Sequence, residues 1–225
     1  MLAWTAVVVP LHLLASLVGW RNLLPPTYLA GIGWISGLKV TIEGKPHRSA
    51  LLLGNHLSWL DVMALACASR TAFVAHAGLT FSPTIKWLCE QNGTIFIARD
   101  HRRTVADQVA QVRAALGSRR LTIFLEGTTG DGRELLPFKS ALLSAVTPLP
   151  PGIPVQPVAL RYDQPEEVAW VGDEPGLVNV CKILSRVRPR HLTLCFLDPL
   201  AGEALADRKA MAAAARQAIE GALGT

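Results

Sequence analysis

Residues 49–69 read SALLLGNHLSWLDVMALACAS: an apolar run, a short polar break, then a helical pattern. The run 49–55 has the continuous hydrophobicity of a strand buried on both faces, and SWLDVMALACAS reads as a helix. The same alternation recurs on either side. LKVTIEG (38–44) alternates apolar and polar residues as a half-exposed strand does. AFVAH (72–76), GTIFIAR (93–99), RLTIFLEG (120–127), IPVQPVALRY (153–162) and HLTLCFLD (191–198) supply further strands. Helices are expected over 82–92, over 101–117, and from about 205 to the end. This pattern predicts an α/β fold, with a mixed, largely parallel central sheet flanked by helices.

In such sheets chemistry collects where strands end and helices begin. His56 sits at such a junction, with Asp61 five residues on. Two readings are open. Ser58 and Asp61 have capping-box spacing, so the carboxylate can serve only the first turn of the helix. Alternatively, Asp61 holds one imidazole nitrogen and leaves the other to take a proton. No GxSxG elbow is present, so such a base would act on water or on a substrate hydroxyl. Three more junctions carry charge or glycine. GTIFIAR ends at Arg99. FLEGTTGDG places Glu126, Gly127 and Thr128 in a glycine-rich turn whose amides can approach an anion. LPFKSALL puts Lys139 near the start of the next helix, where the dipole favours negative charge.

Half of the residues are hydrophobic and 17% are charged, against about a quarter in typical soluble domains. Residues 1–20 carry no charged side chain, and Arg21 is the one charge before Lys39. Trp4, Trp20 and Trp34 favour a headgroup interface. Residues 1–38 are therefore expected to be apolar helices, broken near Pro25 and Pro26, that associate with a membrane by docking or by spanning it. A helical hairpin packed on the core is the alternative. Residues 39–225 form the α/β domain. The net charge of +5 suits anionic lipid or a phosphorylated substrate; nucleic-acid binding explains neither the apolar N-terminus nor the His–Asp pair. Cys67, Cys89, Cys181 and Cys195 form no CxxC or ligand spacing, which predicts free thiols and no metal site.

NHLSWLD carries the NHxxxxD pattern of the glycerolipid acyltransferases, the family of the bacterial 1-acylglycerol-3-phosphate acyltransferase. GTIFIAR resembles that family's second block, FLEGTT its third and IPVQPVAL its fourth, in the family's order. The resemblance covers residues 30 to 200. It implies that His56 is the general base and Asp61 its orienter, with no acyl-enzyme, no cofactor and no metal. It implies that Arg99 holds the acceptor's anionic head, that Glu126, Gly127 and Thr128 complete the acceptor site, and that Lys139 assists there. The implied partners are membrane lipids, a lysolipid acceptor, and an acyl thioester of acyl carrier protein or coenzyme A. The implied location is the cytoplasmic face of the cell inner membrane.

The activity so implied is transfer of a fatty acyl group to the free hydroxyl of a lysolipid. The first acceptor is 1-acyl-sn-glycerol-3-phosphate, giving phosphatidic acid in phospholipid biosynthesis. A lyso-ornithine lipid is the alternative, and a lipid or thioester hydrolase a more distant one. Two positions depart from the family's third block. Leu125 stands for the usual proline and Thr129 for the usual arginine, a cation that Lys139 or Arg133 would have to replace. EGTTxDG (126–132), VQPVALRY and AWVGD resemble the branch that acylates lyso-ornithine lipid, an acceptor without phosphate.

Overall fold

The computed structural model describes residues 1–20, 24–76, 83–97 and 102–224, and the side chains of all of these except 102–108. Among them seven strands form one sheet: β1 (Leu38–Glu43), β2 (Leu51–Gly54), β3 (Ala72–His76), β4 (Ile95–Ile97), β5 (Leu121–Phe124), β6 (Val155–Tyr162) and β7 (Arg190–Phe196). Their spatial order is β1-β7-β6-β2-β5-β3-β4. Every neighbouring pair is parallel except β6 and β7. Five strands therefore run one way, and β1 with β7 runs the other.

β2 shows why the apolar run is continuous. Leu51 and Leu53 enter one hydrophobic cluster and Leu52 the other, and all three are fully buried. Helices cover both faces, so neither set of side chains meets water. Leu60 and Leu65 of α3 (Trp59–Ser69) pack with Leu52, while Val112 and Leu116 of α5 (Arg102–Leu116) pack with Leu51. The closing helix α7 (Arg208–Leu223) adds Met211 and Ala215 to the second cluster, and Asp207 caps its amides.

Two further helices lie on the α3 side: α4 (Pro83–Gln91) and α6 (Gly176–Leu184). The sequence pattern did not reveal α6, because GLVNVCKIL is only nine residues long and turns its polar Asn179 inward and its apolar side outward. A second difference concerns Lys139. It precedes a six-residue 3-10 segment, Ser140–Ala145, not an α-helix, so the expected dipole of a full helix is missing there.

At the N-terminus α1 (Leu2–Leu17) runs unbroken through Pro10, and α2 (Leu24–Ile35) takes Pro25 and Pro26 into its first turn, where their missing N–H groups cost nothing. Ile32 of α2 is buried, and Gly33 lies against Met63 of α3. Helix α1 rests on α2. The Trp4 indole donates to the Tyr28 carbonyl at 3.1 Å, and the hydroxyls of Thr5 and Tyr28 share a hydrogen bond of 3.0 Å. A helix of 16 residues is about 24 Å long, short of the roughly 30 Å hydrocarbon core. Among the described residues no helix is long and apolar enough to cross a membrane.

The two helices meet at Gly31, where an added Cβ would stand 2.4 Å from the Trp4 ring. Gly31→Ala is predicted to loosen α1 by about 1–3 kcal/mol of overpacking, although alanine favours helix by about 1 kcal/mol. Amide exchange should quicken across α1 and stay unchanged in β2. Equal protection in both proteins would contradict this contact.

Candidate active site

β2, β5 and β6 are neighbours running the same way, so their C-terminal ends share one edge of the sheet. β6 continues past the point where Gly54 pairs with Val158. Beyond that point the Asn55 side chain takes over from the ladder, donating to the Leu160 carbonyl at 3.0 Å and accepting from its amide at 2.8 Å. The next residue, His56, is thereby held beside the ends of both flanking strands.

Asp61 decides between the two readings of this junction, because it satisfies both. Its Oδ2 accepts from His56 Nδ1 at 2.8 Å, from the Leu57 amide at 2.7 Å and from the Ser58 amide at 2.9 Å. The Ser58 hydroxyl accepts in return from the helix, which completes the capping box. Oδ1 accepts from the Tyr162 hydroxyl at 2.7 Å. Asp61 is fully buried. With two amides and a phenol already donating to it, the carboxyl is an acceptor on both oxygens, which puts the proton of the His56–Asp61 contact on Nδ1. Burial, with the Asp61 carboxylate beside it, pushes the Tyr162 phenol well above its ordinary range. The phenol therefore stays a donor.

His56 is fixed in plane as well as in tautomer. Its ring stacks on Phe124, the last residue of β5, with centroids 3.9 Å apart and planes 7° from parallel. Its amide donates to Glu126 Oε1 at 2.8 Å and its carbonyl accepts from the Gly130 amide at 2.8 Å. The side chain is 18% exposed, and among the described residues Nε2 has no hydrogen-bond partner. His56 is among the residues that line a cavity of about 280 Å³, with Glu126, Arg133, Glu134, Arg161 and Tyr162.

The glycine-rich turn is stitched to this junction. Glu126 is buried and spends both oxygens on backbone, Oε1 on His56 and Oε2 on the Leu136 amide at 3.1 Å. Burial raises its carboxyl above the ordinary range, against the pull of those two amides. Gly132 has φ +78°, and a Cβ there would stand 2.5 Å from Leu57 and 2.4 Å from Pro165, so only glycine fits. The Thr129 hydroxyl donates to the Trp170 carbonyl, and the Trp170 amide donates to Leu57. The position where the family usually carries arginine thus ties 126–132 to AWVGD.

Of the residues singled out from the sequence, the structure brings together His56, Asp61 and Glu126. Gly127 and Thr128 are exposed and do not line the cavity, and Lys139 lies over Gly127 at the surface. Arg133, the other candidate replacement cation, does line it. Arg99 lies outside the described residues. Tyr162 was missed: its one sequence signal is its place at the end of VQPVALRY, and only the parallel pairing of β2 with β6 carries it to Asp61. Among the described residues no group of three or more His, Cys, Asp or Glu side chains is placed to hold a metal.

A second cavity, of about 300 Å³ and almost wholly apolar, lies between α1, α2, α3 and α4. Trp59, Val62 and Met63 of α3 line it, with Val8 and Ile32 from the N-terminal helices.

The Acyltransferase family model matches residues 38–161, which hold every residue of the constellation except Tyr162. The lyso-ornithine lipid O-acyltransferase of Rhodobacter capsulatus is 31% identical over 213 residues, which is 91% of this chain and 77% of that protein. The 1-acyl-sn-glycerol-3-phosphate acyltransferase of Neisseria gonorrhoeae is 33% identical over 138 residues, 59% of this chain and 53% of its own length. The crystal structure of the 1-acyl-sn-glycerophosphate acyltransferase PlsC of Thermotoga maritima matches 99% of this chain and 94% of its own, with a TM-score of 0.63. At 15% identity that likeness speaks for the fold.

Asp61→Asn puts an N–H where donors already converge. It is predicted to cost about 1–3 kcal/mol for each donor left unmet. Tyr162→Phe takes the donor from Oδ1 and leaves the three on Oδ2, so it should cost one such loss, about 1–3 kcal/mol, against several in Asp61→Asn. Urea unfolding of both variants measures the difference. Equal losses would contradict the shared carboxylate.

Proposed function

The chain belongs to the acyltransferase family, and we propose that it moves a fatty acyl group from a thioester to the free hydroxyl of a lysolipid, with His56 as general base. The observation that carries the reading is the imidazole held through Nδ1 at 2.8 Å, with no partner for Nε2 among the described residues. The acceptor hydroxyl attacks the thioester carbonyl as Nε2 takes its proton. The tetrahedral intermediate collapses, the C–S bond breaks, and the imidazolium returns the proton to the thiolate. Asp61 stabilises the imidazolium between these steps. Holding two substrates in attacking geometry supplies a further share of the rate. The step uses no cofactor and no metal.

Lyso-ornithine lipid is the favoured acceptor. The cavity beside His56 is lined by Arg133 and Arg161 and also by Glu134, a mixed set that suits a head group with a carboxylate and an ammonium. Thr129 is engaged with Trp170 and offers no charge to a phosphate. The Rhodobacter relative also covers far more of the chain than the Neisseria one. The second reading, 1-acyl-sn-glycerol-3-phosphate, draws on the Neisseria relative and on the cation at Arg133. Arg99 is assigned to the acceptor's anionic group, with Glu126 holding the walls of the site and Gly127, Thr128 and Lys139 at its outer turn. The apolar cavity between the N-terminal helices and α3 takes part of an acyl chain. The donor is a thioester of acyl carrier protein or coenzyme A. Such donors place the site at the cytoplasmic face of the inner membrane.

The test is transfer from acyl-carrier-protein thioester by the purified protein, with both acceptors in parallel. Ornithine lipid should form at least tenfold faster than phosphatidic acid, and His56→Ala should fall by about 10²–10⁴-fold. A reversed preference would overturn the acceptor assignment. Undiminished transfer by His56→Ala would overturn the base. Fatty acid released without any acceptor would mark a hydrolase.

A further inference from the structure

Helix α6 turns one side to the protein and leaves its apolar side uncovered. The inner side carries Asn179 and Ile183, both fully buried. Asn179 accepts from the Trp59 indole at 3.2 Å and donates to the Ala169 carbonyl at 3.0 Å, which fixes the helix against α3. The outer side carries Leu177, Cys181 and Leu184, spaced four and three residues apart and so on one face. All three are exposed, Leu177 to 80%, and Val178 beside them is exposed too. Val187, just past the helix end, is 99% exposed. A lone exposed leucine needs no explanation, but an apolar stripe along a whole helix does.

This stripe adjoins the N-terminal helices. Val180 of α6 lines the apolar cavity together with α1 and α2. One guanidinium then locks the helix ends together. Arg190, itself buried, donates through Nη1 to the Ser36 carbonyl after α2 at 2.8 Å, and through Nη2 to the Ile183 carbonyl of α6. Trp34, 80% exposed, therefore sits one turn of chain from the same clamp as Leu184 and Val187. Exposed apolar residues thus flank the clamp on both sides, Trp34 and Ile35 at the end of α2 and Leu184 and Val187 at the end of α6. Charge completes the picture: residues 181–191 contain Lys182, Arg186, Arg188 and Arg190 and no acidic residue. Arg186 pairs with Glu167; among the described residues Arg188 forms no ion pair.

We propose that α6 and Val187 form a second membrane-docking element, which enters an anionic lipid leaflet beside α1 and α2 while Arg188 meets the head groups. It rests on the reading that the acceptor is a lipid, and it deepens it. With three contact lines instead of one hairpin, the protein cannot roll about the hairpin axis. Its orientation on the surface is fixed, as an interfacial enzyme that does not span requires.

The experiment is co-sedimentation of the protein with vesicles of phosphatidylglycerol and phosphatidylethanolamine, against vesicles of phosphatidylcholine alone. Leu177→Glu with Val187→Glu should lower partition at least tenfold, with an unchanged melting temperature and unchanged turnover in detergent micelles. Arg188→Gln should weaken binding to the anionic vesicles about fivefold at low salt and leave phosphatidylcholine binding as it was. Should the glutamates disturb folding, Leu177→Ser with Val187→Ser carries the same test. Undiminished partition of the folded double variant would overturn the proposal. So would a wild-type dimer that the variant splits, because a second copy would then cover the stripe. Vesicle binding that follows the prediction while neither acceptor is acylated would sink the functional reading alone.

Discussion

One buried carboxylate organises the functional end of this protein. Asp61 caps the first turn of α3, holds the polar break between β2 and α3 through two backbone amides, orients His56, and receives the hydroxyl of Tyr162. None of these partners can move without exposing a charge in a low-dielectric site, which is costly. Stability is therefore drawn from the same oxygens that the proposed chemistry uses. The shared role also explains the five-residue spacing. It puts the carboxylate at the third position of the helix, where capping needs it, while the loop turns the imidazole back towards it.

The sheet supplies the rest of the site by direction alone. Because β2, β5 and β6 are parallel, they deliver His56, Phe124 with Glu126, and Tyr162 to one edge. Phe124 sets the plane of the imidazole and Glu126 sets its backbone. The 126–136 turn then folds over the junction and is fastened through Gly130, Thr129 and Trp170. A site assembled from strand ends in this way can change its acceptor by changing turn residues, with the His–Asp pair left untouched.

Much of this was legible in the sequence where the pattern is local. The strand and helix alternation follows from period-2 and period-3.6 hydrophobicity, and the His–Asp pair lies within one turn of helix. What depends on pairing between distant strands was not. Tyr162 is 101 residues from Asp61, and nothing in its own neighbourhood announces the contact. Asn55 is conspicuous in the motif, yet its job of extending the β2–β6 ladder needs the register of both strands. Helix α6 escaped because it is short and inverts the usual pattern, with polar Asn179 buried and Leu177 exposed. Lys139 was placed on an α-helix because SALL starts like one, but the segment closes as 3-10 and leaves the side chain over Gly127.

The most direct test of the central claim is the position of the proton on His56, read by nitrogen-15 NMR at a pH where the ring is neutral, with the signal assigned through His56→Gln. The shared carboxylate predicts a proton on Nδ1 and a bare Nε2, and loss of that preference in Asp61→Asn. A proton on Nε2 in the wild-type protein would contradict it, since Asp61 would then be a helix cap and nothing more.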